Sequence, residues 1–313
     1  MLSKSISIVV PFYNEEQNIL PLIAELQSVL KKDFKDFEII AVDDGSTDNT
    51  LKLLLEAKKK YANVRVIQFK KNFGQSAALD AGFSIANGEI IVPMDGDMQN
   101  DPNDIKKLVE KTEDFDLVCG WRHNRKDPFT KKLSSTIARV IGQKITGVKI
   151  HDSGCTLKAI KSQVAKKLFL YSETHRFIPA LAKNFGYTIT EEKVNHRQRK
   201  FGKTKYNIKR LFKGFMDILF ITFWNNFSSR PLHFFGFFGF LAVGFGLLIA
   251  VYKVVYQFMI QGLPLDAGPL LLLSILLSIM GGLFLMMGFL AEIIIRSYYE
   301  SSKSKPYFIE KVY

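Results

Sequence analysis

Short apolar runs alternate with amphipathic stretches through the first two thirds of the chain. Ile6 to Val10 reads as a strand stopped by Pro11, and Glu38 to Val42, Val64 to Phe69 and Ile90 to Val92 repeat the pattern. Helical spacing fills the gaps, from Asn14 to about Lys32, from about Asn49 to Tyr61 and from Gln75 to Asn87. Asn14 is suited to cap the first helix, with Glu15 and Glu16 in the first turn where the macrodipole favours acids. Strand, helix, strand, helix at this spacing predicts an α/β domain, a mostly parallel sheet flanked by helices with right-handed crossovers. Beyond it the pattern predicts a helix over 101–112 opened by Pro102, a strand over 115–120 and a donor-rich loop over 121–127. A basic amphipathic helix over 128–146, a helix over 177–185 and an edge strand over 187–194 follow.

The last third is different. Leu232 to Tyr252 and Gly268 to Ala291 carry no Asp, Glu, Lys or Arg, and each reaches the roughly 20 residues needed to cross a bilayer core. Before them, Tyr206 to Asn226 reads as an amphipathic helix whose Phe223-Trp224 end suits a lipid interface. Gln257 to Pro269, between the two stretches, has no Lys or Arg, whereas Arg230 precedes the first and Arg296, Lys303, Lys305 and Lys311 follow the second. The positive-inside rule then predicts both termini in the cytoplasm and the short connection outside. The expected organisation is a cytoplasmic domain over 1–205, a juxtamembrane helix over 206–229, a two-span hairpin over 230–296 and a cytoplasmic tail over 297–313. Gly236, Gly239, Gly244, Gly246 and the Gly281-Gly282 pair permit close helix approach, within one chain or in a homo-oligomer.

Composition sharpens this. The apolar share of 47% supports a core, and the net charge of +13 is uneven, with nine Lys or Arg and no acid between Lys193 and Lys213. Such a stretch suits nucleic acid or an anionic membrane, and the hydrophobic segments right after it favour the membrane and exclude nucleic acid as the expected partner. Cys119 and Cys155 form no C-x-x-C pair, and the N-terminus shows no long apolar leader, so a reducing cytoplasmic compartment is expected.

The candidate chemistry centres on Val-Pro-Met-Asp-Gly-Asp-Met-Gln-Asn-Asp-Pro at 92–102. Asp95 and Asp97 follow an apolar strand directly, at the end of the sheet where open α/β folds bind ligands, and strand alternation would turn them to one side. Two such carboxylates with Gln99 suit Mg²⁺ or Mn²⁺ carrying substrate phosphates; a solvated acidic turn has the same short signature. With no P-loop and no G-x-G-x-x-G, phosphates would be held by metal and basic side chains. Asp43 and Asp44, ending the second strand, are placed to accept hydrogen bonds from a nucleobase or ribose, or to serve as a turn and cap. Arg122 and Arg125 are suited to phosphate oxygens, and Asp152 to a general base, to orienting a basic group, or to an Asx turn.

Four stretches carry a family resemblance: Ile-Val-Val-Pro-Phe-Tyr-Asn-Glu-Glu at 8–16, Val-Asp-Asp-Gly-Ser-Thr-Asp-Asn-Thr at 42–50, Asn-Phe-Gly-Gln-Ser-Ala-Ala-Leu-Asp-Ala-Gly at 72–82 and Met-Asp-Gly-Asp-Met-Gln-Asn-Asp-Pro at 94–102. In this order they resemble family 2 glycosyltransferases of GT-A fold. More narrowly, over about residues 6–295, the chain is similar to bacterial undecaprenyl-phosphate glucosyltransferases and, more distantly, to dolichyl-phosphate mannose synthases. The resemblance implies inverting transfer of one sugar onto a membrane polyprenyl phosphate, glucose from UDP-glucose being the first expectation and GDP-mannose or a UDP-N-acetylhexosamine the alternatives. It implies that Pro11, Tyr13, Glu15 and Asp44 contact the nucleoside, and that Asp95, Asp97 and Gln99 hold metal and diphosphate. Arg122 in a Gly-Trp-Arg loop, Arg139, and Arg199 and Lys205 in a basic loop that also carries Lys203 would face the phosphates, and Asp152 matches an acid that follows the acceptor helix. Asp80 stands where Asn is usual and Thr204 where Ser is frequent. A processive polysaccharide synthase is disfavoured, because the chain lacks a Gln-x-x-Arg-Trp motif and further spans.

Overall fold

The computed structural model describes residues 2–123, 147–168, 170, 174–198, 223, 231–264 and 268–302. The chain divides into two compact units, Met1–Leu219 and Phe220–Tyr313. The first contains a seven-stranded sheet: β1 (Ile6–Phe12), β2 (Phe37–Asp43), β3 (Val64–Gln68), β4 (Ile90–Pro93), β5 (Leu117–Arg122), β6 (Lys158–Lys161) and β7 (Ile189–Val194). In space the order is β3-β2-β1-β4-β6-β5-β7. Neighbours are parallel except β6, which runs antiparallel to both β4 and β5.

Helices cover both faces, so the strands are buried on both sides and read as continuous apolar runs. Ile6, Ile8, Val10 and Phe12 pack with α1 (Glu16–Asp33), α2 (Thr50–Lys60) and α4 (Ile105–Glu110), through Leu22, Leu26, Leu54 and Leu108. Val9, Ile40, Val42 and Ile91 pack instead with α3 (Gln75–Ile85), α5 (Ser162–Ala165) and α6 (Ile178–Asn184). Leu26 has no exposed surface, and cutting it to Ala would cost about 2–5 kcal/mol. Cys119 and Cys155 lie in this core, where burial pushes their thiols up to about 12 and about 11, so neither is a nucleophile at neutral pH.

Register decides what meets at the ligand end of the sheet. Phe12 lies beside Asp43 and Val9 beside Pro93, so the segments leaving β1, β2 and β4 emerge next to one another. The strand order reverses between β1 and β4, the switch point at which such sheets open a crevice. Because β6 is antiparallel and its Lys158 lies beside Cys119, the turn that precedes β6 is delivered to this same end.

Several boundaries depart from the pattern. Asn14 does not cap α1. Its φ of 52° is left-handed, which Asn tolerates, and its side-chain oxygen accepts the Thr47 amide at 2.8 Å. Trp121 and Arg122, expected in a loop, continue β5 because Lys193 and Val194 of β7 pair with them. The Lys-Ala-Ile-Lys of β6 carries too little apolar signal to read as a strand and exists because β4 and β5 close on it. The expected helices over 128–146 and 206–226 lie outside the described residues, apart from Phe223.

The second unit has two helices long and apolar enough to cross a bilayer, Pro231–Ile260 and Pro269–Ile295. The first is α7 (Pro231–Lys253) continued by a π-helical stretch (Val254–Ile260), and the second belongs to α8 (Pro269–Ser302). They touch through small residues: a Cβ on Gly281 would stand 2.6 Å from the Gly239 carbonyl oxygen, and one on Gly246 would stand 2.6 Å from Ser278 Oγ. Phe240, Leu248 and Ile294 point outward, as lipid-facing side chains do.

At the opposite end of the sheet, Glu38 accepts from Ser7 Oγ at 2.7 Å, the Asn87 amide at 2.7 Å and Arg65 at 3.0 Å. Burial alone would raise the Glu38 pKa, but the Asn87, Ser7 and Arg65 bonds outweigh it and hold the carboxyl below its ordinary range. A depressed carboxyl stabilises the fold above its unfolded pKa of roughly 4.3, and that stability is lost as pH falls through the lower folded value. Acid unfolding followed by circular dichroism should therefore be less steep below about pH 4.3 in Glu38→Gln than in the parent, while the variant is the less stable at pH 7.

Candidate active site

The Asp-Gly-Asp segment is a turn that begins where β4 ends at Pro93. The pleat therefore does not align the two carboxylates; the turn does, with Met98 in the left-handed region at φ 62°. A Cβ on Gly96 would meet Phe12 at 2.7 Å, so only Gly lets the turn lie against the end of β1. The Asp95 amide donates to Asn100 Oδ1 at 3.2 Å, and Asp97 Oδ1 accepts the Gln99 amide at 3.1 Å. Burial, then the charge of Asp97, raises the Asp95 pKa, while Thr156, Arg122 and Gln75 pull it down. Gln75 Nε2 donates to Asp95 Oδ1 at 2.8 Å.

Arg122 and Asp152, singled out separately in the sequence, form one unit. Arg122 Nε reaches Asp152 Oδ2 at 2.6 Å and its terminal nitrogen reaches Oδ1 at 2.9 Å, a two-pronged pair with both side chains largely buried. Burial opposes the guanidinium charge, but the bonds and charge of Asp152 outweigh it and push the Arg122 pKa further up. A carboxylate so engaged orients the arginine, the second of the roles its position suggested. The neighbouring Trp121 lies in the same strand, stacked on His151 with ring centres 4.2 Å apart.

Beyond the carboxyl ends of β1 and β2, the loops that follow are stitched together. The Asn14 amide donates to Ser46 Oγ at 3.0 Å, Glu15 donates its amide to Thr50 Oγ1 at 3.0 Å, and Glu16 accepts from the Asn49 amide at 3.1 Å. Glu15 Oε2 also accepts from Asn18 at 2.6 Å. Pro11, expected to stop the first strand, lies half-buried inside β1, which pairs with β2 through Phe12, and Tyr13 is just beyond it. Asp43 Oδ1 accepts the Ser46 amide at 3.1 Å, the cap-and-turn role. Asp44 turns inward. Its carboxylate accepts from Asn72 Nδ2 at 2.9 Å, the Phe73 amide at 2.7 Å and the Gly74 amide at 3.0 Å. Burial raises its pKa against the Phe73 and Gly74 bonds, and Asp43 adds to the rise. Asp80, on α3, accepts the Leu170 amide at 2.9 Å.

A further contact was not legible in the sequence. Residues 195–198 are clasped to the Asp-Gly-Asp turn: Arg197 donates its amide to the Gln99 carbonyl at 2.8 Å, and Asn100 and His196 form an antiparallel bridge. Arg197 also pairs with Glu25 and Asp101, both at 2.7 Å. This arginine, one of the nine basic residues of that stretch, is thus a structural tie. The tie brings the chain to the edge of the site just before residue 199. Arg125, Arg139, Arg199, Lys203 and Lys205 lie outside the described residues.

Among the described residues no group of three or more His, Cys, Asp or Glu is arranged to hold a metal. Asp95 and Asp97 still fit a hard divalent cation such as Mg²⁺ or Mn²⁺ that takes its other ligands from a diphosphate and water, because their mutual repulsion leaves negative charge to be neutralised. Gln99 adds a neutral oxygen, its amide nitrogen being 3.5 Å from the Arg197 carbonyl.

The switch-point crevice, the acidic turn and the buried arginine define an α/β domain of the GT-A class, a transferase fold. The family model for glycosyl transferase family 2 matches residues 7–169, and the chain belongs to that family. It is 38% identical to the dodecaprenyl-phosphate galacturonate synthase of Rhizobium johnstonii, over 99% of this chain and 94% of that protein. It is 32% identical to the undecaprenyl-phosphate 4-deoxy-4-formamido-L-arabinose transferase of Photorhabdus laumondii, over 99% and 94%. Among solved structures it is similar to glucosyl-3-phosphoglycerate synthase of Mycobacterium tuberculosis bound to Mn²⁺, UDP and phosphoglyceric acid. The TM-score is 0.54 at 18% identity, over 71% of this chain and 78% of that one, a likeness in fold.

Replacing Asp44 by Ala leaves the Phe73 and Gly74 amides without their acceptor, at a cost of about 1–3 kcal/mol. Hydrogen exchange should show amides 72–75 losing protection in this variant while the strand amides of β1 and β2 keep theirs.

Proposed function

We propose that the protein moves one sugar from a nucleoside diphosphate sugar, with a UDP-sugar favoured, onto the phosphate of a membrane polyprenyl phosphate, inverting the anomeric carbon. The observation that carries this reading is end-to-end similarity, 99% of this chain against 94% of each relative, to two proteins named for sugar transfer involving polyprenyl phosphates. The resemblance points to glucose, while the relatives are named for galacturonate and a formamido arabinose. A uronic acid therefore heads the donor panel beside glucose.

On this reading Pro11, Tyr13 and Glu15 line the nucleoside, Asp43 and Asp44 shape its loops, and Asp95, Asp97 and Gln99 hold metal and diphosphate. A divalent cation at these residues supplies Lewis-acid stabilisation of the departing diphosphate. The acceptor is a phosphate monoester with a second pKa near roughly 6, so it is largely dianionic at neutral pH and attacks without losing a proton. Two anionic groups must nevertheless approach each other. Arg122, held charged and aimed by Asp152, offsets that repulsion, and Arg125, Arg139, Arg199, Lys203 and Lys205 add to it. The two long apolar helices anchor the chain in the cytoplasmic membrane, with the catalytic unit and both termini on the cytoplasmic side.

Detergent-purified protein incubated with undecaprenyl phosphate, Mg²⁺ and a panel of UDP- and GDP-sugars should yield one glycosylated phospholipid, read by mass spectrometry. No product from any donor, despite nucleotide-sugar binding, would sink the transferase reading in favour of a sensor or scaffold. Asp95→Ala should lower turnover about a hundred- to a thousandfold, the scale on which electrostatic stabilisation of developing charge acts. Asp152→Asn should cost only about ten- to a hundredfold, since it loosens Arg122 without removing a base the reaction needs. Equal losses in the two variants would contradict the orienting role of Asp152.

A further inference from the structure

We infer that Gln75 is a positioning residue of the transfer site, fixing the orientation of the Asp95 carboxylate from the first turn of α3 and so setting the affinity for the divalent cation. The inference rests on the proposed metal-holding role of Asp95 and assigns a new part in it to a residue on another element.

Three observations carry it. Gln75 Nε2 donates to Asp95 Oδ1 at 2.8 Å, and among the described residues Asp95 is the hydrogen-bond partner of that side-chain amide. The side chain is half-buried, so the bond reaches into the site from a residue that is not core. Second, the turn that carries Gln75 is fixed on both sides. Before it, Gly74 adopts φ 93° with its amide on Asp44 Oδ2 at 3.0 Å, a conformation that favours glycine. After it, the fully buried Ser76 Oγ lies 2.8 Å from His175 Nδ1 and accepts the His175 amide at 3.1 Å. Third, Asp95 has competitors for its orientation. The Asp97 charge repels it and the Arg122 charge attracts it. Asp152 occupies the Arg122 fork, and Gln75 with Thr156 holds the carboxylate in place.

A neutral donor suits this position because it orients the carboxylate without adding a charge that would compete with the metal. The same geometry connects the two acidic sites of the crevice: Asp44 sets the 72–74 loop, the loop aims Gln75, and Gln75 holds Asp95.

The test is Mn²⁺ binding by full-length protein in detergent with UDP present, read from the electron paramagnetic resonance signal of free Mn²⁺. Gln75→Leu and Gln75→Met should weaken Mn²⁺ binding about tenfold, the loss expected for one hydrogen bond to a charged group. The KM for undecaprenyl phosphate at saturating metal and the melting temperature without metal should stay as in the parent. Gln75→Met keeps the length and loses only the donor, so it serves if Gln75→Leu folds poorly. If the parent binds Mn²⁺, Asp95→Ala does not, and both Gln75 variants bind like the parent, the inference is overturned and the metal role of Asp95 stands. It is also overturned if both variants lower the melting temperature and shift both constants alike, which marks a structural role. If the parent binds no better than Asp95→Ala, the metal role itself fails and the inference with it.

Discussion

Two like-charged carboxylates, Asp95 and Asp97, are held within each other's field in a single turn at the carboxyl end of a sheet. Bringing them together is unfavourable for the isolated fold, and much of the surrounding structure consists of groups that make the arrangement tolerable. Gln75 and Thr156 hydrogen-bond one of them, Asn100 holds its backbone, and a glycine lets the turn rest against Phe12. The charge left over is of the kind that a hard divalent cation neutralises.

The buried Arg122–Asp152 pair answers a second problem. A bare arginine beside Asp95 would form an ion pair with it and consume the charge the site depends on. With both prongs on Asp152, the guanidinium stays charged and fixed, and its partner is Asp152 rather than Asp95. The antiparallel β6 makes this possible. A parallel strand in that place would carry the 152–157 turn to the far end of the sheet, and Asp152 and Thr156 would be absent from the site. Lys158, which is buried, donates to the Cys155 carbonyl and secures the turn from below.

The clasp of residues 195–198 onto the acidic turn has a related consequence. Arg197 bridges Glu25 of α1 and Asp101 after the turn, with its backbone on Gln99. The chain therefore enters its most basic stretch from a fixed point at the rim of the site, rather than from a free loop end.

The amino-acid sequence by itself determined the α/β class, the positions of the first four strands along the chain, the two long apolar helices and the family. These follow from hydrophobic period, span length and short motifs, all local properties of the chain. It also located Asp95, Asp97, Arg122 and Asp152 as the residues with chemistry to explain. Only the tertiary structure decided that Arg122 and Asp152 are partners, that Asp44 faces a neighbouring loop, that Asn14 ties two loops instead of capping α1, and that Gln75 touches Asp95. Each of these is a contact between residues 20 to 33 positions apart, set by strand register and by which way a strand runs. The strand β6 shows the reason most plainly: Lys-Ala-Ile-Lys has no strand signal of its own, and becomes one because the edges of β4 and β5 present unpaired backbone groups that it satisfies.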